Sequence, residues 1–124
     1  MAAPNIVNVT TITGKTDQVS LTTTNATAVV SNAASSGKVF KVNSLVVANV
    51  DGANAADITV SVYSEDDIGG TATELVSTVS VPADSSLVVI DKNTSIYLEE
   101  DMSIGATASA ANDLKVVVSY EEIS

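Results

Sequence analysis

The stretch "ITVSVYS", residues 58–64, decides the fold class. It sets Ile58, Val60 and Val62 on one side of the chain and Thr59, Ser61 and Tyr63 on the other. Side chains alternate with a period of two along an extended strand, so the stretch predicts an antiparallel strand with one face on a core and one in water. The same period continues in both directions. "QVSLTT" alternates through Val19 and Leu21, and "ATAVVS" through Ala28 and Val30. "TELVSTVSV" alternates through Leu75, Ser77, Val79 and Val81. "MSIGATAS" places Met102, Ile104, Ala106 and Ala108 on one face, and "LKVVVSY" does the same with Leu114, Val116, Val118 and Tyr120. "KVFKVNSLVVANV", 38–50, is the most apolar long run; Asn43 and Ser44 interrupt it, so it reads as one bent strand or two. "LVVID" and "SIYL" are short strands split by "KNT".

Turn chemistry separates these runs. "NAASSG" (32–37), "DGANAAD" (51–57), "EDDIGG" (65–70) and "PADSS" (82–86) concentrate the Gly, Asp, Asn, Ser and Pro that turns use. No twelve-residue window carries helical apolar spacing with a cap. The pattern predicts an all-β chain, an antiparallel β-sandwich of jelly-roll-like form with about eight to ten short strands. One domain fits the length of 124 residues. Within it, 26–124 is expected to form the sandwich and 1–25, rich in Thr and Asn, an N-terminal arm or edge strands. The expected core is Val46, Ile58, Val60, Val62, Val79, Val89, Ile104, Val116 and Val118.

Composition narrows the function. Hydrophobic residues make up 45% of the chain, too many for disorder, while aromatics make up only 3%. Fifteen acids against five basic residues give a net charge of −10. That balance predicts no nucleic-acid partner and no anionic membrane surface, since both need basic side chains. With no Cys and no His, disulfides, thiolate chemistry, the usual zinc sites and every imidazole triad are excluded. The start, "MAAPNIVNVTTITGKT", shows neither the basic nor the apolar region of a secretory signal, and an origin in a cytoplasm is expected.

Four patterns invite a chemical reading. "GKT" at Gly14, Lys15 and Thr16 ends like a phosphate loop, but Val9 stands where that loop needs its first Gly, and no helix pattern follows. Asp51, Asn54, Asp57, Asp66 and Asp67, with Glu65, are hard oxygen donors of the type calcium takes. Their spacing is not that of a calcium loop, so they are weak metal candidates beside the reading as solvated turn residues. "SIYLEED", 95–101, ends in Glu99, Glu100 and Asp101. Adjacent strand residues point to opposite sides, so Glu99 and Glu100 cannot act on one bond, though a distant partner such as Glu74 or Glu121 stays open. "NVT", "NAT" and "NTS" match glycosylation acceptors at Asn8, Asn25 and Asn93, a match that chance explains in so Thr-rich a chain. No catalytic residue, no cofactor and no enzyme activity is expected.

Three longer stretches carry a resemblance. They are "GKVFKVNSLVVANVDGANAADITVSVYS", "LVSTVSVPADSSLVVIDKNTSIYLEED" and "ASAANDLKVVVSYEEIS", within 37–124. With their "ANVDG", "VPA", "YLEE" and "VSYEEI" elements, they resemble a group of small structural proteins of tailed phages, notably marine cyanophages. The resemblance implies a β-sandwich virion component, placed on the capsid surface as a decoration (cement) protein and assembled in the host cytoplasm. Its implied partners are the major capsid protein or another virion protein, and further copies of itself as a dimer or trimer. A neck, tail or fibre module and a carbohydrate-binding sandwich are the alternatives. Where the group has Gly-Asp after "YLEE", this chain has Asp101-Met102, which implies a different turn or one shifted by a residue.

Overall fold

The computed structural model describes residues 7–124; the first part of the expected arm, 1–6, lies outside the described residues. Nine strands follow one another: β1 (Ile12–Ser20), β2 (Thr27–Asn32), β3 (Val39–Asn49), β4 (Ala56–Glu65), β5 (Gly69–Val81), β6 (Ser86–Ile90), β7 (Ile96–Leu98), β8 (Met102–Ala108) and β9 (Leu114–Ile123). Between β6 and β7, Asp91 caps a single 3-10 turn, accepting the N–H groups of Asn93 and Thr94.

The strands form two antiparallel sheets. One has the order β1-β9-β3-β6, with β7 also on β3; the other has the order β2-β8-β4-β5. The chain crosses between sheets at every connection except β4–β5 and β6–β7. Two antiparallel sheets packed face to face make the β-sandwich that the alternating patterns predict. The inner faces meet in one apolar core. Leu45, Val47, Ile58, Val60, Ile104, Leu114 and Val118 are completely buried in it, and Val116 nearly so.

Five of the nine expected core residues, Ile58, Val60, Ile104, Val116 and Val118, belong to the buried cluster, and Val62, Val79 and Val89 pack against it from partly buried positions. Val46 does not belong to it. The β3–β9 register slips between Val42 and Ser44, and the extra residue turns Leu45 and Val47 inward and Val46 out. The expectations for β2 and β5 are corrected for the same reason. A slip between Ala28 and Val30 buries Val29 and Val30 together. In β5, Thr78 has a φ of 53°, donates its N–H to the Thr59 hydroxyl, and sits at a slip between Ile58–Val79 and Val60–Val76. Val76 and Val79 therefore both lie inward, while Leu75 is exposed.

The outer face of β8 is covered as well. At the β4–β5 turn, Asp67 and Ile68 both have positive φ, as a type I′ turn requires, and Gly69 donates to the Asp66 carbonyl. The turn folds back so that Ile68 and the Tyr63 ring lie over Gly105; a Cβ there would stand 2.7 Å from Ile68 and 2.8 Å from Tyr63. Ser103, beside it, is buried too.

The register makes an opposite prediction for neighbouring residues. Val47→Asp buries an unpaired charge and is expected to cost several kcal/mol, enough to unfold the chain, whereas Val46→Thr should change stability by no more than about 0.5 kcal/mol. Urea titration of both variants checks this; equal losses would contradict the slip at Asn43.

Candidate functional site

The strand directions gather the loops at two ends. One end holds 21–26, 50–55, 82–85 and 109–113; the other holds 33–38, 66–68, 91–95 and 99–101. Each end is closed by a buried asparagine. Asn49, 3% exposed, ends β3 and donates its amide to the carbonyls of Val81 (2.9 Å) and Asn54 (3.0 Å), while its Oδ1 accepts from Asp51 N–H. Asn32, fully buried, ends β2 and donates to the carbonyls of Lys38 (2.9 Å) and Leu98 (3.1 Å), while its Oδ1 accepts from the Ser36 hydroxyl (2.6 Å). Each amide bridges one sheet to the other. The sequence shows both only as an Asn where an apolar run meets a turn cluster, "AVVSN" and "VVAN", and neither is singled out there.

The second end carries the carboxylates of "SIYLEED". Glu100 Oε2 accepts the Gly37 N–H (3.1 Å), Asp101 Oδ1 accepts the Asp66 N–H (3.1 Å), and Asp66 Oδ2 accepts the Ala34 N–H (3.3 Å). The Ser103 hydroxyl accepts from Ile68 N–H and donates to the Glu65 carbonyl, both at 2.8 Å. These carboxylates thus close three loops onto one another by taking up backbone donors that would otherwise need water. Glu99 points away into solvent, and Glu100 Oε1 is buried without a hydrogen-bond partner. Asp101 itself has a φ of 60° and donates its N–H to the Asn32 carbonyl. The turn expected to change with the loss of glycine is made at Asp101, because Asp tolerates the left-handed region and gains an acceptor for Asp66 there.

The five cation candidates are divided between the ends. Asp51 folds its carboxylate onto its own loop, accepting from Ala53 N–H, Asn54 N–H and the Asn54 amide. The Ala53 N–H and the Asn54 amide hold its carboxyl below the usual 3.8. Asp57 is the second residue of β4, with its N–H donated to the Ser109 hydroxyl. Asp66 and Asp67 lie past the far end of β4, roughly 30 Å along at the rise of an extended strand. Among the described residues no three acids converge in a way that could hold a metal ion.

A third cluster, unmarked in the sequence, lies where β1, β9 and β3 run together. Glu122 stands between Lys38 (2.7 Å) and Lys15 (3.1 Å). The Lys38 hydrogen bond chiefly, and then Lys15, hold its carboxyl below the usual 4.5, against a partial burial that pushes it up. Lys15 belongs to "GKT", which forms part of edge strand β1 and no loop. Nearby, the Tyr120 hydroxyl donates to Asp17 (2.8 Å), and its ring packs on Phe40 with centroids 5.1 Å apart. Burial first, then Asp17, pushes the phenol well above its usual 10, so it stays protonated and works as a donor.

No protein-family model matches the chain, and no curated protein matches it in sequence. Solved structures share the fold. A subunit of Bacillus endospore appendages, described as a family of disulfide-linked pili, is 17% identical, with 92% of this chain and 88% of that one covered and a TM-score of 0.52. A chain of the acidic stable capsid of Helicobacter pylori bacteriophage KHP30 is 12% identical, with 94% and 90% covered and a TM-score of 0.51. A chain of the T13 viral particle of IBDV is 10% identical and matches 93% of this chain over 31% of its own length, with a TM-score of 0.51. The class defined by fold is therefore a two-sheet β-sandwich of the kind found in viral-particle and pilus subunits.

Two outcomes are expected from the site. Replacing Asn32 by Ala strands the Lys38 and Leu98 carbonyls and should lower unfolding free energy by about 2–4 kcal/mol in a denaturant titration. Glu122 has a lowered carboxyl pKa when folded, so its contribution is present above the usual 4.5 and is lost as pH falls through the lowered value. Melting of the wild type and Glu122→Gln between neutral and acid pH checks this: the gap is expected at neutral pH and should close on acidification.

Proposed function

We propose that the chain is a structural protein of a tailed-phage virion, acting as a decoration (cement) protein on the capsid surface. The carrying observation is the fold: a sandwich that covers 94% of this chain and 90% of a phage-capsid chain. The stretches within 37–124 that resemble small phage structural proteins support the same reading. So does the use of the acidic loops, whose carboxylates fasten the chain to itself. The protein on this reading is no enzyme; it works by repeated weak contact.

Such a protein would sit across neighbouring capsid subunits and hold them against the pressure of packaged DNA. Symmetry repeats each contact many times, so a modest contact suffices. The edge strands suit this role. β5, thirteen residues long and mostly exposed, has β4 on one side and, among the described residues, no strand paired on the other. A strand from a capsid neighbour added there would gain main-chain hydrogen bonds without a side-chain pocket.

The likeness to an endospore-appendage subunit favours a second reading, a fibre or neck module built by end-to-end association. With no Cys, any such association here is not disulfide-linked. Cryo-microscopy of the parent particle separates the two. Density for this chain over capsomer junctions is expected; density in the neck or tail would favour the second reading, and its absence from the particle would overturn both.

A further inference from the structure

Five lysines and fifteen acids are spread unevenly over this chain. The outer face of the β1-β9-β3-β6 sheet carries only Lys41, Lys115 and Glu121 among its paired, outward positions. It also carries a row of apolar side chains. Val117, Val46 and Val88 lie side by side on β9, β3 and β6, with Val117 43% and Val88 57% exposed. We propose that this face is a homodimer interface, with a second copy of the chain packed on it about a two-fold axis parallel to the strands between β3 and β9.

The register supplies the argument. Rotation about such an axis exchanges β9 with β3 and β1 with β6 or β7, and leaves each cross-strand row facing itself. Val117 is paired with Val46, so each meets the other across the interface. Glu121 is paired with Lys41, so each carboxylate meets the partner copy's ammonium group. Ser119 likewise meets Ser44, and Lys115 meets the small Ala48. One strand further out, Gly14 is paired with Glu121 and Tyr97 with Lys41, so the half-exposed Tyr97 ring falls on the glycine of the partner copy. In the valine row Val117 meets Val46, while Val88 falls on the aliphatic stem of Gln18 of the partner copy; in the other rows charge meets opposite charge and large meets small, with no like charges opposed. A C2 interface requires this self-complementarity.

The size is sufficient. Four strands at about 4.8 Å spacing and about 30 Å of strand length present on the order of 600 Å² per copy. That is about 1,200 Å² in total, the lower bound for a specific interface. Aligned packing of two sheets, with strands within about 30° of each other, is an ordinary sandwich geometry. Area alone does not fix affinity, so association is sought across a wide concentration range. This pairing does not depend on where the protein resides, so it stands or falls apart from the virion reading.

Sedimentation velocity on the full chain, from about 1 to 500 μM, tests it. A monomer–dimer equilibrium is expected. Lys41→Glu makes the Lys41–Glu121 row wholly acidic, and Glu121→Lys makes it wholly basic; each alone should lose the dimer, and an equimolar mixture of the two should recover one. Circular-dichroism melting shows whether each variant is folded. A further variant guards against a folding defect. A Cβ on Gly14 has no atom within 4 Å, so Gly14→Gln should fold normally yet weaken the dimer at least tenfold by blocking Tyr97. A wild type that stays monomeric, a trimer or larger species, or charge variants that do not associate on mixing would overturn the proposal.

Discussion

The sandwich depends on two buried side-chain amides. A sandwich held by apolar contact alone leaves its ends open, because loop carbonyls turned toward the core find neither water nor a ladder partner. Asn49 and Asn32 supply the missing donors, one at each end, and each does so between the sheets. A pair of N–H groups fixed to a buried backbone sets the sheet spacing and the loop path together. The adjoining turns follow from it: Asp51 N–H is held by Asn49, and Ser36 and Asp101 gather round Asn32. A hydrophobic residue of similar size would fill the space and leave the carbonyls stranded, which costs more than the packing returns.

The sequence was informative where alternation was undisturbed and misleading where a bulge intervened. In β8 and β9 the period of two holds from Ile104 to Ala108 and from Leu114 to Tyr120, and these residues are buried as read. In β3, β2 and β5 one extra residue shifts the phase, and each shift reverses the faces beyond it. Asn43 hinted at the first shift by breaking an apolar run. Nothing in Thr78 hints at the third, since a β-branched residue is among the least expected at positive φ. The absence of a helix and the division of the acids among turns were legible. The end-closing asparagines were not, because an Asn before a turn looks the same whether its amide faces water or the opposite sheet.

The acids have two roles. Asp51, Asp66, Glu100 and Asp101 fold back on backbone N–H groups near their own loops, which stiffens loops that carry little apolar contact. Glu122 instead joins two strands through lysines on either side of β9. The remaining acids leave the two ends strongly negative and the outer face of the larger sheet nearly neutral. A net charge of −10 so distributed makes two copies repel most strongly at the ends and least across the face where charge is sparse.

The position of β9 has a consequence for how the protein is made. Of the nine strands it is translated last, yet it lies inside its sheet, between β1 and β3. Until Leu114, Val116 and Val118 leave the ribosome, the larger sheet has a gap at its centre, β1 has no ladder, and much of the core is unfilled. The β1–β9 pairing closes a loop of about a hundred residues, so its closure entropy is met only once β9 has been made. Folding of the larger sheet is thereby deferred until β9 has been made. Before that point the nascent chain exposes the apolar residues that β9 later covers, the state in which unfinished sheets are most prone to wrong pairing.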